Sequence, residues 1–340
     1  MTRTQASSPQ AQTAQEIVSH LQSYFVTKLN AIAQEDFEAV EWFRDEGLHG
    51  GGVRYEARDE DIFNRASVNV SQVHYDDDPT KKLSSATAIS TIIHPANPHA
   101  PSMHMHISWT QMRDGNGYWR IMADLNPSIE NEADKTAFFQ MLKTAIPAYY
   151  DEGVAQGDRY FFIPTLDRHR GVSHFYLENF NSGDEKVDEA LAQSVGKSVI
   201  DTYISIFKKA LSTHTDITHS ARQKQLDYHT LYFFQVLTLD RGTTSGLLIH
   251  NQNDVGILGS LPSHIERDLM ESWKKNMPEL QQKLLERLLA ALPLTSVVSV
   301  NQEIKEALAT AVREHYKHHP EALSLQASGN IIPATVDNHK

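Results

Sequence analysis

The stretch from Ser84 to Pro127 leaves this chain few choices of fold. It opens with Ser85-Ala86-Thr87-Ala88-Ile89-Ser90-Thr91-Ile92-Ile93-His94, a β-branched run that reads as a buried strand. Pro95, Pro98 and Pro101 follow at once; they forbid a helix and push each preceding residue toward extended backbone. The next strand, 103–109, puts His104, His106 and Ser108 on one face and Met103, Met105 and Ile107 on the other. A turn at Asp114-Gly115-Asn116-Gly117 leads into a third strand, 118–124, which stops at Asn126-Pro127. Three consecutive strands thus gather His94, His104, His106 and Asp124 on one sheet.

Around this centre the pattern predicts blocks of strands and helices rather than βαβ alternation, so the expected class is α+β with a mostly antiparallel sheet. Residues 1–13 are low-complexity and expected to be disordered. Apolar residues from Ile17 to Ile32 recur at helical spacing, as they do over 130–145, 185–211, 265–292 and 302–318. The glycine cluster 47–52 reads as a flexible loop, since the G-x-G-x-x-G spacing and a P-loop lysine are absent. Further strands are expected at 68–74, 231–239 and 246–249, the last two joined by a hairpin turn at Asp240-Arg241-Gly242-Thr243. Asp76-Asp77-Asp78-Pro79 lacks the spacing of a calcium loop and reads as a solvated turn.

Composition narrows the function. A formal net charge of -12 argues against nucleic acid and anionic membranes as partners. With no cysteine there is no disulfide, thiolate metal site or cysteine nucleophile. No apolar run approaches the roughly 20 residues of a transmembrane helix, and the polar N-terminus lacks a signal-peptide core. The expectation is a soluble, cytoplasmic protein. His104 and His106 on one strand face would suit a metal, but no third or fourth ligand can be assigned, so a hydrogen-bonded histidine cluster is expected and no metal.

From about Gly50 to about Trp273 the chain resembles the oxygen-dependent coproporphyrinogen III oxidases. The matching pieces occur in the family's order. They include the glycines 50–52, Val68-Asn69-Val70-Ser71, Ile92-Ile93-His94-Pro95-x-Asn97-Pro98-His99-Ala100-Pro101 and His104. Asp124-Leu125-x-Pro127, Tyr160-Phe161-Phe162-Ile163, Arg170-Gly171, Asp240-Arg241-Gly242-Thr243 and Ile257-Leu258-x-Ser260-Leu261-Pro262 follow. The resemblance implies one domain over about 14–320, a large, mostly antiparallel β-sheet flanked by α-helices on both faces, and assembly as a homodimer. Residues 274–320 would be a helical extension and 321–340 a polar tail. It implies a cofactor-free oxidation, with molecular oxygen as co-substrate, that decarboxylates porphyrinogen propionates to vinyl groups in heme biosynthesis. Asp124 matches the aspartate that collects pyrrole N–H groups and acts as base, and His104 matches the proton donor. Asn69, Ser90, His94, His106, Ser108 and Arg241 fall at substrate-pocket positions.

The chain departs from the family at groups that should meet propionates. Ser108 stands where the family has arginine, and His106 where it has asparagine. An Arg-Gly-Arg approach is replaced around His229-Thr230-Leu231, and a loop arginine within His250-Asn251-Gln252-Asn253. Two family histidines align with Ala137 and Thr165. Arginine is the natural fork for a carboxylate. Two alternatives therefore stand beside the oxidase: an enzyme of the same fold acting on a less acidic substrate, and a catalytically silent tetrapyrrole-binding homologue.

Overall fold

A computed structural model of the chain describes residues 2–57, 59–250, 252–332 and 335–339. Its centre is a seven-stranded sheet: β1 (Glu38–Phe43), β2 (Gly50–Glu56), β3 (Phe63–His74), β4 (Leu83–Pro95), β5 (Ser102–Met112), β6 (Gly117–Asn126) and β7 (Ser173–Phe180). Every strand pairs antiparallel with its neighbour in sequence. The expected α+β architecture is therefore present, and the strands predicted at 68–74, 86–94, 103–109 and 118–124 all lie in this sheet.

Alternation decides which face is covered. Met103, Met105 and Ile107 of β5, with Ile121, Ala123 and Leu125 of β6, are fully or almost fully buried. They pack with α1 (Pro9–Asn30), α2 (Glu132–Ala145) and α4 (Glu185–Thr213). Between the last two lies α3 (Tyr150–Phe161). Val195, Val199, Tyr203 and Phe207 form the buried stripe of α4, each worth about 1.5–3 kcal/mol of burial. Asp184 caps that helix by accepting from the Lys186 and Val187 N–H groups. The opposite face is only partly covered, by α5 (His219–Thr238), α6 (Arg241–Ile249), α7 (Glu279–Ala290) and α8 (Gln302–His318). Among the described residues no helix is long and apolar enough to cross a membrane.

Several expectations are corrected. Segments 231–239 and 246–249 are helical, within α5 and α6, and not strands. Leu231, Tyr232, Phe233, Phe234, Val236 and Leu237 are all buried, and a helix buried all round yields an apolar run that periodicity cannot tell from a strand. The presumed hairpin turn is the start of α6, where the Asp240 carboxylate accepts from the Thr243 N–H at 2.7 Å. The glycines 50–52 lie inside β2. A Cβ at Gly52 would stand 2.3 Å from the Val70 carbonyl oxygen and 2.5 Å from Trp42 Nε1, so only glycine lets three strands approach this closely.

The N-terminal segment is ordered against the sheet. Ser8 caps α1 through the Ala11 N–H, the Ala6 N–H donates to Gln72 Oε1 at 2.8 Å, and Ala11 and Ala14 are fully buried. Its alanines, which made it look low in complexity, are what let it pack closely. The helix predicted over 265–292 is broken. His264–Glu266 pairs with Val297–Ser299, and Pro278 precedes α7. In the tail, Pro320–Leu325 and Thr335–Asn338 form short helical turns.

Candidate active site

The partly covered face of the sheet holds a cavity of about 330 Å³. Its floor is the second side-chain set of the strands: Asn69 and Ser71 of β3, Ala88 and Ser90 of β4, His104, His106 and Ser108 of β5, and Arg120 and Met122 of β6. Tyr160, Tyr176 and Glu178 form one wall, and Tyr232, Val236 and Arg241 from α5 and α6 close the top. The antiparallel register lines up Asn69, Ser90, His106 and Met122 in one row across four strands, and Ser108 opposite Arg120 in the next.

His104 and Asp124 are paired in that register. His104 lines the cavity; Asp124 does not, and is completely buried behind it. The Asp124 carboxylate is occupied by three donors. Oδ1 meets His104 Nδ1 at 2.8 Å, while Oδ2 accepts from Arg170 Nη2 and Asn126 Nδ2, each at 2.6 Å. Burial alone would raise the carboxyl pKa, but Arg170, His104 and Asn126 outweigh it and hold Asp124 well below the usual carboxylate range. Arg170 is itself fixed between the rings of Phe161 and Tyr232 and by a 2.7 Å bond to Gln235 Oε1. With Nδ1 engaged by an ionised aspartate, His104 keeps Nε2 for the cavity. A histidine so oriented can give or take a proton there.

The other positions from the sequence separate. His106, Ser90, Ser108, Asn69 and Arg241 line the cavity. His106 Nε2 lies 3.0 Å from Ser108 Oγ, and burial, with Arg120 and His104 nearby, pushes its pKa down to about 3. Asn69 Oδ1 and Arg241 Nη2 are buried without a protein partner, which leaves an acceptor and a donor for a ligand. His94 stands outside the cavity. Ser102 Oγ at 2.8 Å and the Ser260 carbonyl at 3.1 Å take its two nitrogens, and its ring meets Tyr232 edge-on. Burial and His229 lower its pKa, so it is a neutral packing residue.

Sequence reasoning did not assign Tyr160, Tyr176, Glu178 or Tyr232 to the site. The Tyr160 hydroxyl donates to Asp240 at 2.9 Å and the Tyr176 hydroxyl to Glu178 at 2.8 Å. The aromatic runs at 159–163 and 174–177 were the available signal, but not which face they would present. At the mouth, His250 meets Arg44, and Thr335, Asn338 and His339 line the opening; Asn251 lies outside the described residues. Among the described residues, Asp158, His169 and His174 are the group whose ligand atoms come within 4.8 Å of one another, and they lie beside the cavity rather than in it.

The chain is similar to known proteins over most of its length. A family profile described as coproporphyrinogen III oxidase matches residues 13–291. The chain is 30% identical over 283 residues to the mitochondrial oxygen-dependent coproporphyrinogen-III oxidase of Homo sapiens, covering 74% of this chain and 61% of that protein. It is 28% identical to the oxygen-dependent coproporphyrinogen-III oxidase of Drosophila melanogaster, over 77% of this chain and 73% of that one. The chloroplastic coproporphyrinogen-III oxidase 1 of Arabidopsis thaliana is 26% identical, over 75% and 77%. The chain thus spans less than two thirds of the human protein.

Proposed function

Because the chain belongs to the coproporphyrinogen III oxidase family, we propose that it oxidatively decarboxylates porphyrinogen propionates to vinyl groups, a step of heme biosynthesis. The observation that carries this reading is a cavity-facing histidine held by a buried, ionised aspartate on the floor of the open sheet face. In each turnover a propionate loses CO₂ and the hydrogen with its electron pair from the carbon next to the pyrrole ring. Molecular oxygen takes up that pair with two protons and leaves as hydrogen peroxide. His104 is the residue we assign to proton transfer at the substrate. Asp124 fixes its tautomer and orientation, a positioning role instead of direct capture of pyrrole N–H groups. Neutral His106 and the hydroxyls of Ser90 and Ser108 are available to a pyrrole ring or a propionate oxygen.

No metal or organic cofactor enters this scheme. The nitrogens of His94 and Nδ1 of His104 are already committed to hydrogen bonds, so activity should survive dialysis against a chelator. A homodimer in the cytoplasm completes the proposal; light scattering and cell fractionation check its two parts. The reaction is tested by mixing protein and coproporphyrinogen III without oxygen, admitting oxygen and analysing products. Vinyl-bearing porphyrinogen with CO₂ supports the reading. Recovery of unchanged substrate refutes it and favours a less acidic substrate or binding alone, to which the commitment of Arg170 to Asp124 also points.

A further inference from the structure

Among the described residues, Arg120 is the cavity arginine that makes no direct hydrogen bond or ion pair. Arg170 is paired with Asp124, and Arg241 Nε donates to the Ala327 carbonyl at 3.2 Å. Arg120 has neither a hydrogen bond nor an ion pair, and its Nε is buried without a partner. It projects from β6 directly opposite Ser108, and both side chains line the cavity. No surrounding group bonds to it: His106 is held neutral, the Ser108 hydroxyl faces His106, and Glu178, which attracts it only through space, takes the Tyr176 hydroxyl and the Gly329 N–H.

An arginine offers five donors in a planar fork, and leaving them unmade in a partly desolvated site is costly. A β-ladder position gives the side chain a fixed origin, with the cross-strand Cβ only about 4.5–5.5 Å away. Such a cation is matched to one kind of ligand group, a planar anion that takes two parallel N–H bonds. We propose that Arg120 is the anion anchor of the cavity and receives a carboxylate of the substrate, with the Ser108 hydroxyl as a second donor across the ladder. That the carboxylate belongs to a porphyrinogen rests on the function proposed above; that Arg120 takes a carboxylate does not.

Fluorescence titration with coproporphyrin III and with its uncharged tetramethyl ester tests the pairing. Arg120→Gln should bind the acid at least tenfold more weakly and the ester unchanged, while Arg120→Lys should fall between, retaining charge without the fork. Ser108→Arg in the Arg120→Gln background should restore part of the affinity for the acid. A parallel thermal-shift series uses mellitate, an aromatic polycarboxylate with no pyrrole. It should stabilise the unsubstituted protein and leave Arg120→Gln nearly unmoved. If no porphyrin binds yet the mellitate shift still depends on Arg120, the tetrapyrrole reading fails and the anchor stands. Equal acid affinity, or equal mellitate shifts, in the unsubstituted protein and Arg120→Gln overturns the anchor. The unfolding midpoint without ligand confirms that the variants fold, and removing an unpaired cation should not lower it.

Discussion

Asp124 illustrates how one residue links stability to chemistry. Asp124→Asn cannot accept from both Arg170 and His104 as an anion does, so it leaves Arg170 charged and unpaired in the interior. Breaking such a pair costs about 3–5 kcal/mol, and losing the orienting anion should lower turnover a hundredfold or more. Urea unfolding and product formation measure the two effects. Turnover measured where the variant is still fully folded separates them, because loss of the orienting anion lowers kcat without unfolding. Normal kcat in folded Asp124→Asn would make Asp124 merely structural. Buried histidines add a second pH effect. His106 and His229 are pushed down to about 3, chiefly by burial, and stay neutral in the folded protein. An unfolded histidine takes up its proton near pH 6.5, so this stability is complete above that pH and drains away as pH falls toward 3. Between pH 6.5 and 5 each should cost about 1–2 kcal/mol. Asp124 acts in the same direction only below about pH 4, where the unfolded aspartate protonates. Calorimetry from pH 7 to 5 should show a falling midpoint, and a flat profile would refute the assignment. The His104–Asp124 pair was legible in the sequence because strand alternation and a short turn between the strands place the two residues. Arg170 was not, since it arrives 46 residues later from outside those strands. Arg120 stands directly across the ladder from Ser108, a relation visible only once the strand register is known.

At the scale of elements, patterns with one buried face were readable and those buried all round were not. β4 to β6 alternate clearly, and α4 and α8 carry single apolar stripes, so each lies where the sequence placed it within three residues at the ends. Helices α5 and α6 pack between the sheet and the C-terminal helices, and the resulting apolar runs mimicked strands. Asp240 joins the two levels, because it caps α6 and also accepts the buried Tyr160 hydroxyl. Asp240→Ala should therefore lose about 1 kcal/mol for the cap and a further 1–3 kcal/mol for the stranded hydroxyl. Asp240→Asn should keep most of both. A double-mutant cycle with Tyr160→Phe checks this, and additive losses would show that the two groups do not share a bond.

In the whole molecule, the strands follow one another across the sheet in the order in which they occur in the chain. Turn residues 113–116 and the loop 96–101 are all that separate β4, β5 and β6, so closing these hairpins takes little loop entropy. Helix α1 is different. It comes first in the chain but packs across β3, β4 and β5 and against α4, which ends at Thr213. During synthesis the first helix therefore leaves the ribosome long before its docking surface exists, and its apolar stripe must wait uncovered. Pulse-labelled hydrogen exchange during refolding should protect the amides of β4–β6 before those of α1. In a cell, that interval is when a chaperone would hold this chain, and the first twenty or so residues of the helix are where it would hold on.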